Sequence, residues 1–172
     1  MGVRVLFHHE FNEAGECVMA DALSGYDTAV VSPLFIWRPK PRFRLREYPF
    51  LGDETEGWEL SADSTDRSGE FTPIATKFLS RGKSDITGEE VLTRACNMGK
   101  CAGRLHAKAM LQNQHRIPKE YRQYVLMVVG TIWLSGGRRK IMCLFWTGFG
   151  WAHYYDWLSA DFDAEYRVLL CE

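Results

Sequence analysis

The chain has 172 residues, 46% of them hydrophobic and 13% aromatic, and its 21 basic and 22 acidic side chains leave a formal net charge of −1. Such a composition excludes a disordered polymer, and the length suffices for one domain (1–172) with a sizeable core. No apolar run approaches the ~20 residues a membrane-spanning helix needs, and the opening apolar stretch turns to His8-His9-Glu10 too early for a secretory leader, so a cytoplasmic protein with no membrane partner is expected.

In chain order, Val3–Phe7 reads as a short buried strand. Asn12 can cap a helix through about Leu23, and Thr28–Val31 reads as a second strand, which predicts an N-terminal β-α-β unit. Residues 37–50 contain Pro39, Pro41 and Pro49, which bar a central strand. Within them Arg38, Lys40, Arg42, Arg44 and Arg46 recur at every second position. An extended chain therefore carries all five on one face and Phe43 and Leu45 on the other. A small lobe over 1–50 is then followed by an acidic loop or linker over 51–72, where Asp53, Glu54, Glu56, Glu59, Asp63, Asp66 and Glu70 face Arg67 alone. Thr72-Pro73 predicts a short helix running to about Leu79.

The segment 85–172 is expected to hold one long helix packed on a sheet. Thr87-Gly-Glu-Glu90 is a capping box, and Val91, Ala95, Met98, Ala102, Leu105 and Ala109 form one apolar stripe, so the helix is predicted from about Gly88 to Asn113. Gly99 and Gly103 each cost such a helix about 1 kcal/mol, for which a close backbone approach would compensate. Tyr124–Leu134, Ile141–Thr147, Trp151–Leu158 and Tyr166–Leu170 then predict a four-stranded antiparallel meander. Its turns fall at Ser135-Gly-Gly-Arg138, Gly148-Phe-Gly150 and Asp161–Ala164, with a bulge at Gly130. The fold class is α+β.

The charge is unevenly placed. Between Val91 and Lys140 stand ten basic residues and one acidic, Glu120, a balance of +9. Lys100, Arg104 and Lys108 recur at helical spacing as one ridge, and Arg138-Arg139-Lys140 sits at a hairpin tip expected to project into solvent. With Arg42, Arg44 and Arg46 they make a candidate polyanion surface, since such cations neutralise phosphates and the nearby aromatic rings offer stacking planes. The bland alternative is solvated charge offset by the acidic segments.

Two weaker candidates accompany it. His8, His9, Glu10 and Glu13 follow a predicted strand, where a hydrolase or transferase could place general acid–base groups, although no glycine-rich loop or HExxH spacing supports them. Cys96, Cys101 and His106 resemble metal ligands only in print. Five residues of helix turn two side chains apart, so no metal site and no cofactor are expected. The five cysteines are scattered and odd in number, as reduced thiols used as small hydrophobes would be.

From Ile117 onward the runs IPKEYRQY, VVGTIW, GGRRK, LFW, WAHYYDWL and RVLL resemble short uncharacterised accessory proteins of phages and prophages. The resemblance rests on aromatic strand rhythm and covers about a third of the chain. It implies a small cytoplasmic protein that binds host machinery, and it assigns no catalytic residue. The expectation is a non-enzymatic binding protein, an inhibitor from a mobile element, that contacts nucleic acid or an acidic surface of a nucleic-acid-handling protein through the basic helix ridge. The alternatives are the His/Glu enzyme and a subunit of a larger assembly that uses its aromatic sheet as an interface.

Overall fold

The computed structural model describes residues 10–11, 17–18, 39–46 and 55–172, and the chain divides into two compact units, 1–40 and 41–172. In the first unit β1 (Glu10–Phe11) pairs antiparallel with β2 (Cys17–Val18). This corrects the predicted β-α-β unit, because Cys17 and Val18 are extended where a helix from Asn12 to Leu23 was expected. Gly15 lies in the first turn of that predicted helix, where it weakens the propensity, and helix propensity is a weak prior that other contacts override. The expected strands Val3–Phe7 and Thr28–Val31 lie outside the described residues.

The second unit is built on a six-stranded sheet. Its centre is β8 (Val125–Ser135), followed by β9 (Arg138–Trp146) and β10 (Trp151–Trp157), each antiparallel to the one before. The β8–β9 turn is tight because Gly136 and Gly137 take φ of +56° and +74°, the twist that a two-residue hairpin requires. The meander ends there. The last strand, β12 (Tyr166–Cys171), lies on the opposite side of β8 and runs parallel to it, then pairs with β6 (Pro73–Thr76). Before it, β11 (Asp161–Asp163) pairs with β7 (Asp85–Thr87) rather than forming a turn. This ribbon carries the chain past β10, so the fourth strand of the expected meander cannot fall beside the third. The segment expected to be a helix after Thr72 is β6, and Pro73 tolerates that strand because it is the first residue.

The acidic segment expected to be a linker also holds structure. β4 (Glu59–Ala62) pairs with the end of β8, and β5 (Gly69–Phe71) pairs with β3 (Phe43–Leu45). In β3 the alternation predicted from the sequence is present: Phe43 and Leu45 are buried while Arg42, Arg44 and Arg46 are exposed.

The long helix is in fact two, α1 (Gly88–Met98) and α2 (Arg104–Gln112). Thr87 does cap α1, its hydroxyl accepting from the Glu90 N–H at 3.3 Å. Between the helices the chain turns at Gly99 and inserts Lys100–Ala102 into the sheet. Ala102 N–H donates to the Leu169 carbonyl, Cys171 N–H to Lys100, and Gly130 N–H to Ala102, at 2.9, 2.8 and 2.9 Å. Backbone bonding to β12 and β8 replaces the helical ladder across these three residues. At Gly130 the carbonyl oxygens of Cys101 and Ala102 would each lie 2.7 Å from a Cβ, so only glycine allows the approach.

The sheet is covered on both faces at its centre, which explains why β12, most of β8 and the middle of β9 are buried at successive positions. Leu126, Val128, Met142, Leu144 and Leu169 meet Ala107, Ala109 and Met110 of α2, together with Phe43, Leu45 and Phe71. Met127, Val129, Ile141, Cys143 and Val168 meet Val91 and Ala95 of α1, with Ile86 and Phe162. Along β8 the even residues face α2 before Gly130, yet after it Ile132 faces α1 and Trp133 faces α2. A register shift between Val128 and Trp133 produces that switch, as β8 advances five residues there against two on β9 and an odd excess reverses the strand's alternation.

Candidate nucleic-acid interface

Most of the predicted basic groups are engaged; Lys108, within α2, also has a partner of its own. The Lys100/Arg104/Lys108 ridge does not exist as a single row, because Lys100 precedes α2 in the inserted segment. Lys100 Nζ lies 2.8 Å from Asp66 Oδ1, and Arg104 Nε lies 3.0 Å from Asp63 Oδ2. The two aspartates come from the loop after β4, in the acidic stretch expected to be a loop or linker. Asp63 is held firmly, accepting from the Thr131 hydroxyl at 2.6 Å and pairing with Arg67 at 3.2 Å. Thr131 in turn accepts the Arg104 N–H at 2.9 Å, so this network caps α2 as well as neutralising it.

His106 belongs to the same cluster. Its side chain is fully buried, its Nδ1 accepts the Gly103 N–H at 3.0 Å, and its ring meets Phe71 edge-to-face. Nε2 stands 3.1 Å from Asp66 Oδ2 but outside hydrogen-bond alignment. Burial lowers the His106 pKa, with the Asp66 carboxylate opposing and Lys100 reinforcing. An Nδ1 that accepts a backbone N–H also marks the neutral ring. The arrangement is a helix cap, closed by its own partners.

The hairpin tip is engaged too, which corrects the expectation that it stands free. Arg139 reaches Glu89 of α1 at 2.6 Å. On the other face, Arg138 lies 4.0 Å from the Trp157 ring centroid, and Lys140 Nζ sits between Trp157 and Trp58 at 4.0 and 4.1 Å. The register enforces this, since Lys140 is opposite Trp133 on one side and Trp157 on the other. Elsewhere in the +9 window, Arg94 pairs with Glu90, Arg122 stacks on Trp146 at 3.9 Å, and Arg116 lies 5.5 Å from the Phe43 centroid. Carboxylates offset Arg94, Lys100, Arg104 and Arg139, whereas the ring contacts of Arg116, Arg122, Arg138 and Lys140, worth about 0.5–1 kcal/mol each, hold those cations in place without cancelling their charge.

Arg42, Arg44 and Arg46 differ. All three are exposed on one face of β3, and no carboxylate among the described residues lies within ion-pair distance of them. Alternate residues of an extended chain stand about 6.7 Å apart, so the three side chains leave the backbone of β3 and its flanks at regular intervals. Glu70 is the cross-strand neighbour of Arg44 and offsets part of the charge. An open hollow of about 610 Å³ adjoins the row, lined by Arg44, Leu45, Arg46, Ser68, Gly69 and Glu70. Phe43, Leu45 and Phe71 anchor the opposite face of this ribbon in the core under α2, so the row rests on a fixed backing. Arg116 meets β3 from the other side, over the Phe43 ring; sequence reasoning counted it in the +9 window without linking it to β3, because no periodicity connects the two.

No family model, curated protein or solved structure matches this chain. The reading of the surface therefore rests on its chemistry.

The remaining candidates are placed as follows. His8, His9 and Glu13 lie outside the described residues, and Glu10 is the first residue of β1. Among the described residues no three His, Cys, Asp or Glu side chains are arranged to hold a metal, and no helix is long and apolar enough to cross a membrane. Of the sheet's rings Trp133 and Trp151 are buried, while Trp146, Tyr154, Tyr155 and Trp157 are half-buried; Phe149, between two glycines at the β9–β10 turn, is 100% exposed.

Proposed function

We propose that this chain is a non-enzymatic binding protein whose target is nucleic acid, contacted through the arginine row of β3 and the hollow beside it. The observation that carries the reading is the contrast in pairing. Lys100, Arg104 and Arg139 have carboxylate partners, while Arg42, Arg44 and Arg46 have none among the described residues. The row lies along one strand edge-on to solvent, which suits an extended phosphate backbone, and guanidinium groups bind phosphate oxygens through paired N–H donors. The resemblance to phage and prophage accessory proteins adds a role: a cytoplasmic inhibitor that occupies nucleic acid, or the surface of a nucleic-acid-handling protein, belonging to its host.

Three phosphate contacts set the scale. The dependence of log affinity on log salt should have a slope of about −2 on single strands and about −2.7 on duplex. Affinity should therefore fall ~20-fold to ~40-fold between 50 and 200 mM salt. A titration of single- and double-stranded oligonucleotides at those two concentrations tests this, and binding that ignores salt, or no binding, removes direct phosphate contact. Phe149 favours a second reading, an interaction subunit anchored by that ring, because none of the described residues covers this fully exposed phenyl group. Its test is the solution mass of the wild-type chain against Phe149→Ser, and equal monomeric masses end self-association through that turn.

A further inference from the structure

Arg167 is the second residue of β12 and is only 8% exposed, although arginine is seldom buried without an anion to pair with. Its Nη1 donates to the carbonyls of Ala164 and Tyr166, and its guanidinium carbon stands 3.9 Å from the centroid of the Tyr124 ring. These contacts hold the group in place and leave its charge uncancelled. Nε and Nη2 donate to none of the described residues, and neither is sealed from solvent. The register of β6 and β12 sets Val168 against Thr76, so the next position along brings Lys77 opposite Arg167. Like charges that face each other across strands repel. No carboxylate among the described residues lies within ion-pair distance of either cation. In the adjoining turn Asp163 accepts the Glu165 N–H, and both of these acids are exposed.

The two cations line one hollow of about 120 Å³, whose other walls are Phe78, Leu79, Ala164 and Tyr166. That is the liquid volume of about four waters. We propose that this hollow binds a small organic carboxylate, with its oxygens on the Arg167 fork, its charge shared with Lys77 and a short apolar tail against Phe78 and Leu79. A planar guanidinium with Nε and Nη2 unengaged matches the two oxygens of a carboxylate. The remaining walls are apolar, and the Tyr166 hydroxyl already shares a hydrogen bond with Tyr154 at 3.2 Å, so further donors for a tetrahedral phosphate are lacking. Phe78 is 3% exposed and its carbonyl accepts from Arg94 Nη1 at 2.8 Å, which fixes that wall. Arg42, Arg44 and Arg46 do not line this hollow, so the proposal stands apart from nucleic-acid binding.

The test is a titration of the isotope-labelled full chain with sodium butyrate at constant ionic strength, with sodium chloride and inorganic phosphate as parallel arms. Amide resonances of residues 77–79 and 164–167 should shift saturably with butyrate, with a Kd of about 1 mM. Lys77 is exposed, so Lys77→Gln should keep the fold and weaken butyrate about tenfold. Arg42→Gln/Arg44→Gln/Arg46→Gln should leave that affinity unchanged. Lys77→Glu places a carboxylate of the chain's own opposite Arg167, and it should raise Tm and abolish butyrate binding. Shifts that do not saturate, or that chloride reproduces, would overturn the site. A stronger response to phosphate than to butyrate would overturn the choice of carboxylate, and a lower Tm in Lys77→Glu would overturn the pairing with Arg167.

Discussion

His106 and Asp63 show how single side chains at the start of α2 hold the second unit together. His106 is buried with its Nδ1 accepting a backbone N–H, and its folded pKa is lowered, so the unfolded chain takes up a proton that the folded chain refuses. Stability is therefore complete above the ordinary histidine pKa of about 6.5 and falls as pH drops through it. Thermal unfolding from pH 8 to pH 5 should show a fall in Tm that His106→Gln flattens; identical profiles would mean that this ring does not titrate with folding. Asp63 accepts from Thr131 and pairs with Arg104 and Arg67, and its side chain is only 9% exposed. Asp63→Ala leaves the Thr131 hydroxyl and the Arg104 guanidinium without their acceptor, a loss of about 2 kcal/mol in urea unfolding. Asp66→Ala should cost less, because Lys100 can turn outward to water.

At the scale of elements, two glycines separate what a sequence displays from what it conceals. Gly136 sits in a hairpin turn at φ +56°, with open space where a Cβ would be. Asparagine accepts that conformation, so Gly136→Asn should change stability by less than about 0.5 kcal/mol. Gly130 has an ordinary φ, but the Cys101 and Ala102 carbonyl oxygens would stand 2.7 Å from a new methyl group and neither is a side chain that can rotate away. Gly130→Ala should therefore cost about 3 kcal/mol, and a loss below 1 kcal/mol would show that the inserted segment is not fixed there. The hairpins were legible because paired glycines and aromatic alternation are local signals. The break between α1 and α2 was not, because its cause is non-local: the apolar stripe from Val91 to Ala109 continues across Gly99–Gly103 as though the helix did, and only the carbonyls of β12 and the bulge of β8 reveal the alternative. The same limit applies to β12. Nothing in Tyr166–Cys171 says on which side of β8 it will lie, since both edges offer the same backbone donors and acceptors.

For the whole molecule, charge is the property that linear reading most misjudged. A window of +9 suggested one basic face, yet Asp63 and Asp66 return from thirty or more residues earlier to meet Lys100 and Arg104, and Glu89 meets Arg139. Sequence distance hides such pairing because loop closure adds little cost as the loop lengthens. The period-two arginines of β3 were legible for the opposite reason: strand geometry alone sorts Phe43 and Leu45 inward and Arg42, Arg44 and Arg46 outward. Binding is accordingly proposed for the short ribbon rather than for the helix. The most direct measurement is a salt-matched titration of one labelled oligonucleotide against the wild-type chain, Arg42→Gln/Arg44→Gln/Arg46→Gln, and Lys100→Gln/Arg104→Gln. The triple variant should lose at least tenfold in affinity and most of the salt slope, and the double variant, once shown to be folded, should stay within about twofold of wild type. Full binding by the triple variant, or its loss only in the folded double variant, would contradict the assignment and return the interface to α2.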